Sequence, residues 1–322
     1  MEERVMGRDR KCAKSSQIDR KKKLVRIKND WRLYLLLIPV VVWYLIFCYA
    51  PMGGLVLAFK DYDFKGGIWG SPWVGIRNFT QMFSDRYFNR SLVNTMIFSI
   101  GGILMGTPAA VLLALALNEI RMKKTKRVIQ TVVTFPHFLS WVVLSGILIT
   151  MFSSTGVVNQ ALNLLGRESV SPLTSTSGFR WFIWVSDIWK EVGWSSIIYL
   201  AAITSIDQGL YEAATVDGAG RFRQIWHITL PGIRSTVCIM LILATGSVLT
   251  NGRFDQIYNL YSAPVYSVAD TIDTYVFRET FQSGGMDYGY STAIGMVKSV
   301  VGLVMINVTN KIVKSSGEQG LL

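Results

Sequence analysis

Three charged residues interrupt an apolar stretch near the middle of the sequence. Asp187, Lys190 and Glu191 stand within residues 181–203, where most neighbours are apolar. In a helix, spacings of three and four residues place Lys190 and Glu191 on the same face as Asp187. Ionisable groups inside a membrane-spanning helix are costly, and they either line a transport pathway or neutralise one another. Both interpretations fit this cluster.

Side chains suited to covalent or metal chemistry are few and scattered. His137 and His227 are far apart and isolated, which fits neither a metal site nor a pair of nucleophile and base. Cys12 lies in a basic segment, while Cys48 and Cys238 lie in apolar runs, so no disulfide or metal framework is indicated. The sequence also lacks a Gly-x-x-x-x-Gly-Lys-Ser/Thr run, the phosphate-binding loop of many ATPases. We therefore expect no catalytic residue, metal site or bound cofactor in this chain.

The composition is that of a membrane protein. Half of the 322 residues are hydrophobic and 17% are charged, which is more apolar than an average soluble domain. The net charge of +12 is uneven, because residues 1–32 hold 12 Lys and Arg directly before an apolar block. This arrangement is typical of a cytoplasmic tail and argues against a nucleic-acid partner. The basic region is also too long for a secretory signal.

Six apolar blocks approach the ~20 residues that a helix needs to cross the hydrocarbon core of a membrane. They are residues 33–57, 93–117, 128–152, 181–203, 229–251 and 291–313. A turn with five Lys and Arg, at residues 118–127, separates the second and third blocks and is typical of the cytoplasmic side. With the amino terminus also inside, the cytoplasmic segments hold most of the 33 Lys and Arg. The sequence predicts an all-α integral membrane protein with six spans and both termini in the cytoplasm.

This topology predicts one folded domain with two tails. The domain covers residues 33–314, between a basic tail at residues 1–32 and a short tail at residues 315–322. The cytoplasmic loop at residues 204–231 belongs to the domain.

The cytoplasmic loop has the pattern of a helix, a turn and another helix. Asp207 is suited to cap the first helix, Gly218 tolerates a positive φ, and Pro231 suits the first turn of the next span. Small residues such as Ala213 and Ala214 permit close approach of a partner. So short a helix needs a surface to pack on. The alternatives are an ordinary amphipathic loop or a DNA-binding helix-turn-helix, although two arginines are a poor phosphate-binding surface.

The spacing within this loop resembles the signature loop of permease subunits of ATP-binding-cassette importers. The matching positions are Glu212-Ala213-Ala214, Gly218, Ile228 and Leu230-Pro231. The resemblance implies a coupling helix that docks on a separate ATPase and transmits its closure to the gate. The implied coupling residues are Tyr211, Glu212, Ala213, Ala214, Asp217, Gly218, Ala219, Arg221, Phe222, Ile228, Leu230 and Pro231.

A narrower resemblance points to sugar importers. The string Tyr-Glu-Ala-Ala-x-x-Asp-Gly-Ala looks like that of sugar permeases, and residues 254–278 are similar to permeases for oligosaccharides and polysaccharide fragments, including alginate-type importers. The resemblance extends from about residue 33 to the carboxyl end. It implies the type I importer permease fold in a bacterial inner membrane.

The same resemblance implies the partners and the mechanism. They are a second, similar permease, two ATPase subunits that bind ATP and magnesium, an external solute-binding protein and an oligosaccharide. ATP-driven closure of the ATPases would open the cavity outward, and hydrolysis would reset it.

Several residues are candidates for the substrate pathway under this interpretation. They are Trp184, Asp187, Trp189, Lys190, Trp194, Asn251, Arg253, Asp255 and Lys298. The tryptophans suit either sugar stacking or core packing. Lys298 has no acidic neighbour at helical spacing, so another helix, water or an anionic ligand must meet its charge. If Lys190 and Lys298 both face the lumen, acidic sugars such as uronate oligomers are favoured over neutral ones.

Three rival functions make different predictions. An ion-coupled secondary transporter predicts an internal repeat around a midplane ion site, and no clear repeat is visible. A membrane enzyme predicts a convergent catalytic constellation, which the sequence does not show. A permease for a neutral sugar would differ from one for an acidic sugar only in the charge of the side chains that line its pathway.

Overall fold

The computed structural model describes residues 30–249, 253–282, 287–317 and 320. Within these residues the regular elements are helical, and a single isolated antiparallel bridge joins Lys60 to Trp73. The predicted all-α class is confirmed. The chain separates into two compact units, Met1–Val56 and Leu57–Leu322.

In the first unit, helix α1 spans Trp31–Tyr44 and continues through a π-helical turn at Leu45–Tyr49. A 3-10 segment at Ala50–Phe59 follows, and its residues from Leu57 onward belong to the second unit. None of the residues of α1 is buried. The apolar stretch Trp31–Phe59 contains 29 residues, more than the ~20 needed to cross a membrane. The first predicted span therefore lies within a helical segment of sufficient length.

The second unit is dominated by two long helices that pack side by side, α4 and α8. Its described helices are α2 at Gly67–Gly70, α3 at Arg77–Ser84, α4 at Arg86–Glu119, α5 at Lys123–Thr134, α6 at Trp141–Met151, α7 at Val157–Leu164, α8 at Phe179–Thr204, α9 at Gln208–Val216, α10 at Arg221–Gln224, α11 at Leu230–Gly232, α12 at Arg234–Gly246, α13 at Phe254–Leu260, α14 at Tyr266–Ala269, α15 at Ile272–Phe277 and α16 at Tyr288–Ser315.

Length and apolarity mark three segments of the described chain as able to cross a membrane. They are Trp31–Phe59, Arg86–Glu119 and Tyr288–Ser315. These segments contain the first, second and sixth predicted spans.

The third and fifth predicted spans are bent rather than straight. Lys123–Phe138 meets Trp141–Met151 at 98°, and Arg221–Gly232 meets Arg234–Gly246 at 54°. At the first bend, Pro136 lies in a 3-10 turn at Phe135–Phe138, and Ser140 caps α6 by accepting a hydrogen bond from the Val143 amide at 3.3 Å. Each pair qualifies as a span only when its two halves are counted together.

The fourth predicted span falls within α8, which has 26 residues. Asp187, Lys190 and Glu191 lie near its middle, so apolarity alone does not identify it as a span. The described residues therefore provide three to five candidate spans by length and composition. The prediction of six is confirmed only in part.

The hydrophobic core follows the line of contact between α4 and α8. Towards the Glu119 end of α4, the buried cluster is Ala110, Ala114, Leu117, Tyr199, Leu200, Ile203 and Ile233. Towards the Arg86 end, a second cluster is Phe98, Phe179, Ile183, Ile257, Leu260, Val265 and Ala269. These clusters hold α4, α8, α13 and the start of α12 in fixed positions relative to one another.

Gly193 allows α8 to approach the end of α5. A Cβ atom at this position would collide with the carbonyl carbon and oxygen of Val133. The backbone of α5 therefore lies directly against α8, next to the bend at Pro136.

A buried ion pair fixes the segment between α14 and α16 against α4. The Asp270 carboxylate is fully buried and accepts hydrogen bonds from Arg278 at 2.7 and 3.1 Å. These hydrogen bonds raise the pKa of Arg278. Asn94 donates to the Asp270 carbonyl oxygen at 3.0 Å. Nearby, burial and a hydrogen bond to Asp85 raise the pKa of the Tyr275 phenol, which stays protonated as a donor.

Candidate coupling loop and membrane cavity

The loop after α8 begins with an exposed capped helix. The Asp207 carboxylate accepts a hydrogen bond from the Gly209 amide at 3.0 Å, as the sequence predicts for an N-cap. The helix α9 contains Tyr211, Glu212, Ala213 and Ala214, and none of its residues is buried.

Gly218 ends this helix with φ +75°. The Ala219 amide donates to the Ala214 carbonyl oxygen at 2.8 Å, which closes the turn. The predicted positive φ at Gly218 is confirmed. A Cβ atom at this position would meet no atom of this chain within 4 Å, so the turn conformation alone demands glycine within the described chain.

Side-chain hydrogen bonds brace α9 against the returning helix. The Tyr211 hydroxyl lies 2.9 Å from the Thr229 hydroxyl. Gln224 donates to the Thr215 hydroxyl at 3.0 Å and to the Ala219 carbonyl at 3.1 Å. The loop is therefore a helical hairpin with a defined shape rather than a loose connection.

The hairpin exposes aromatic side chains on its returning half. Phe222 and Trp226 are stacked with ring centroids 6.5 Å apart, and they are 79% and 61% exposed. Large apolar side chains exposed next to each other indicate a surface that another molecule covers. The prediction included Phe222 but missed Trp226, although the spacing of four residues places both on one helical face.

The motif residues at the end of the loop differ in packing and exposure from those at its start. Leu230 packs against the buried cluster at the Glu119 end of α4, and Ile228 is half-buried. Pro231 is exposed at the start of α11. Leu230 thus fixes the hairpin to the membrane helices, whereas Glu212, Ala213 and Ala214 remain available for a partner.

Arg221 makes an ion pair with Glu119 at 2.5 Å. Glu119 is the last residue of α4, 102 positions earlier in the chain. A polar cavity of about 600 Å³ lies between the end of α4 and the hairpin, and both residues line it. No local pattern in the sequence marks Glu119 as a partner of the loop.

A second cavity, of about 430 Å³, lies among the membrane helices. Residues of α4, α8 and α12 line it, together with Trp141 and Arg253. The lining residues are Ser99, Gly102, Ile103, Gly106, Thr107, Ala110, Trp141, Asp187, Ile188, Glu191, Val192, Ser195, Tyr199, Met240, Ala244 and Arg253. We call it the membrane cavity.

Asp187 and Arg253 form an ion pair at the wall of the membrane cavity, with 2.9 Å between their charged atoms. The guanidinium lies against Gly102, where a Cβ atom would collide with it. One guanidinium nitrogen of Arg253, Nη1, is buried and has no hydrogen-bond partner among the described residues. Mutual neutralisation within the cluster therefore holds for Lys190 and Glu191, whereas Asp187 pairs with a residue of another segment.

Lys190 is buried and does not line the membrane cavity. Its ammonium donates to Glu191 at 2.7 Å and to the His137 carbonyl at 3.0 Å, and it lies over the Trp141 ring. It thus satisfies a backbone carbonyl at the bend between α5 and α6. A lysine whose charge is met in this way adds no net positive charge to a pathway.

His137 is a functional candidate that the sequence did not indicate. Its Nδ1 atom lies 2.7 Å from the Glu191 carboxylate, and its ring stacks on Trp194 with centroids 4.5 Å apart. The bend is therefore held to α8 by Lys190 and Glu191 together. His137 looks isolated in the sequence because its partners lie more than 50 positions away.

None of the three predicted tryptophans lines the membrane cavity. Trp184 packs against α4 and donates to the Phe98 carbonyl at 3.2 Å, while Trp189 and Trp194 are exposed. Asp255 is exposed at the start of α13, and Asn251 lies outside the described residues.

Lys298 of α16 forms an ion pair with Asp273 of α15. Of the alternatives for the charge of Lys298, the structure shows an acidic residue on another helix. The two lysines that would have favoured an acidic substrate are both neutralised within the chain. Among the described residues, no group of three or more His, Cys, Asp and Glu is arranged to hold a metal ion.

Comparison with known proteins gives a consistent result. Residues 102–315 match the family described as the binding-protein-dependent transport system inner membrane component. Protein LplB of Bacillus subtilis is 46% identical over 299 residues, covering 92% of this chain and 93% of that protein. The polygalacturonan/rhamnogalacturonan transport system permease protein YteP of Bacillus subtilis is 41% identical over 305 residues, covering 94% of both chains.

A solved structure has the same fold. One chain in the crystal structure of a bacterial alginate ABC transporter, in complex with an alginate pentasaccharide-bound periplasmic protein, superposes with a TM-score of 0.83 and 40% identity. The match covers 92% of this chain and 98% of that chain.

Proposed function

The chain belongs to the family of binding-protein-dependent transport system inner membrane components, and from that premise we propose that it is the membrane permease subunit of an ATP-driven oligosaccharide importer. The observation that carries the proposal is the hairpin of residues 207–231. It presents an exposed, capped helix with small side chains, and Gly218 of the motif forms its turn with a positive φ. Relatives that cover more than nine-tenths of the chain include a polysaccharide transport permease.

Six spans are compatible with the structure if each bent pair counts as one and α8 is the fourth. The charges of α8 are the main objection, because unpaired charges are costly in a membrane. Asp187 is paired with Arg253, and Lys190 with Glu191, so these charges are neutralised locally. We therefore propose the six-span topology with both termini in the cytoplasm of a bacterial cell.

The partners follow from the same assignment. A second permease would complete the membrane channel, and two ATPase subunits would bind ATP and magnesium, for which this chain has no phosphate-binding loop. An external solute-binding protein would deliver the oligosaccharide. The chain itself would perform no bond chemistry, and its task would be alternating access driven through the hairpin.

We propose acidic oligosaccharides, such as uronate oligomers, as the substrate class. Support comes from relatives described as transporting polygalacturonan or alginate. Lys190 and Lys298 give no support for an acidic substrate, because each is paired with a carboxylate. Arg253, which keeps one donor without a described partner, is the cation of the membrane cavity. The exposed Asp255 and residue 251 remain candidate contacts for the incoming substrate or its binding protein.

Purification of the chain with its natural neighbours tests the function. We expect ATPase subunits to co-purify, and we expect the loaded binding protein to raise ATP hydrolysis by the reconstituted complex. The absence of both effects would overturn the importer assignment. Uptake of a uronate oligosaccharide, compared with a neutral one of equal length, then tests the substrate class.

A further inference from the structure

The end of α4, from residue 109 to Glu119, contacts the hairpin at two places. We call this segment the inner half of α4. Hydrophobic packing forms the first, because Leu230 and Ile233 pack with Ala110, Ala114 and Leu117. The second is the ion pair between Glu119 and Arg221 at 2.5 Å. The ion pair lies at the last residue of α4, beyond the hydrophobic contact.

Pro108 lies inside α4, directly before the inner half of this helix. A proline inside a helix removes one backbone hydrogen bond and permits a bend at that point. The half from residue 109 to Glu119 extends for roughly 16 Å at 1.5 Å per residue. Gly106 and Thr107, which line the membrane cavity, lie directly at this pivot. A displacement applied at Glu119 would therefore change the cavity wall.

The hairpin is suited to apply such a displacement. Gln224 and Tyr211 brace its two helices against each other, so α9 and α10 would move together. Arg221, the first residue of α10, then transfers the movement across the polar cavity to Glu119. Apart from this ion pair, the polar cavity of about 600 Å³ leaves space between the end of α4 and the hairpin.

We infer that Glu119 and Arg221 are positioning residues that make the inner half of α4 follow the hairpin. The inference rests on the proposed function, since it takes a partner ATPase as the source of movement. It changes the expected role of Arg221, which acts on this chain rather than on the ATPase. The pair is 36% and 55% exposed, and exposed ion pairs contribute little to fold stability. Its loss should therefore alter coupling without unfolding the protein.

The test uses the complete importer, reconstituted in vesicles with its ATPases and binding protein. The variants are Glu119→Gln, Arg221→Gln and the exchange Glu119→Arg with Arg221→Glu. Lys124→Gln is the matched control, because it removes one exposed charge at the same end of the bundle and has no described partner. Uptake, ATP hydrolysis and the amount of co-purified ATPase are measured for each.

We expect each single variant to retain its ATPase and to transport about threefold less substrate per ATP hydrolysed, which is within what an exposed ion pair can contribute. The exchange should recover at least half of the wild-type ratio, and Lys124→Gln should match the wild type. Normal ratios in the single variants, or an exchange variant as poor as either single variant, would overturn the inference. A wild-type complex without ATPase would instead overturn the proposed function, and the inference with it.

Discussion

The guanidinium of Arg253 donates to the carboxylate of Asp187 at 2.9 Å, and the pair forms part of the wall of the membrane cavity. Arg253 precedes α13, whereas Asp187 lies in the middle of α8. The pair neutralises one of the charges that interrupt the apolar sequence of α8. It also leaves the Nη1 donor of Arg253 without a described partner.

The Arg253→Met substitution should lower both thermal stability and uptake. It leaves Asp187 without its partner in a largely buried position, and loss of one member of a buried ion pair is destabilising by about 3 kcal/mol. Partial exposure of both side chains reduces this value. The thermal midpoint of the solubilised complex and oligosaccharide uptake measure the two effects.

The double variant Arg253→Met with Asp187→Asn separates a pathway role from a structural one. Removing both charges should restore the thermal midpoint, because no unpaired charge remains. If Arg253 contacts the substrate, uptake should stay low. Recovery of uptake together with stability would contradict the pathway role and leave the pair a structural one.

Lys298→Met should weaken the protein without changing its preference for substrate charge. The substitution leaves Asp273 unpaired between α15 and α16, so we expect a lower thermal midpoint and lower uptake of every substrate. The ratio of acidic to neutral oligosaccharide uptake should equal that of the wild type.

The matched control for Lys298 is the double variant Lys298→Met with Asp273→Asn, which should regain stability. A selective loss of acidic substrate in both variants would show that Lys298 attracts the substrate after all. The measurement is competition between a labelled uronate oligosaccharide and a neutral one of equal length.

The turn of the hairpin could be predicted from the sequence because local rules determine it. Asp207 caps the next residues of its own helix, and Gly218 adopts the backbone conformation that glycine favours. Both features depend on a few consecutive residues. The family motif predicts that the partner of such a hairpin is a separate ATPase.

The ion-pair partners of Asp187 and Lys298 could not be predicted, because they come from other helices or segments. Helical spacing placed Lys190 on the same face as Asp187, yet the ion-pair partner of Asp187 is Arg253, 66 positions away. Lys298 had no acidic neighbour on its own helix, and Asp273 meets it from α15. The bend beside His137 has the same origin, since Lys190 and Glu191 of α8 hold it in place.

The Gly193→Ala substitution should destabilise the contact between α5 and α8. The added methyl group would collide with the Val133 carbonyl oxygen, and overpacking of this kind costs about 1–3 kcal/mol. Gly146→Ala is the control, because Gly146 also lies in a helix but has open space at its Cβ position. We expect a lower thermal midpoint for the first variant and an unchanged or higher one for the second. Equal midpoints would show that the helices can separate without cost at Gly193.

The Gly218→Val substitution should uncouple the permease from its ATPase. Valine at φ +75° is strained, because a β-branched side chain rarely adopts the left-handed region. We expect ATPase co-purification or substrate-stimulated ATP hydrolysis to fall by about tenfold. Gly220→Val is the matched control, since Gly220 has φ −69° in the same turn and accepts a side chain without strain.

A second variant at this position, Gly218→Asn, separates backbone strain from the approach of the partner. Asparagine tolerates a positive φ, and no atom of this chain within 4 Å opposes its Cβ atom. If strain is the whole cause, Gly218→Asn should couple almost normally. If the ATPase surface lies directly on the turn, Gly218→Asn should fail as Gly218→Val does, while the fold and the hairpin remain intact. Normal coupling in Gly218→Val would contradict both explanations and remove the hairpin turn from the docking surface.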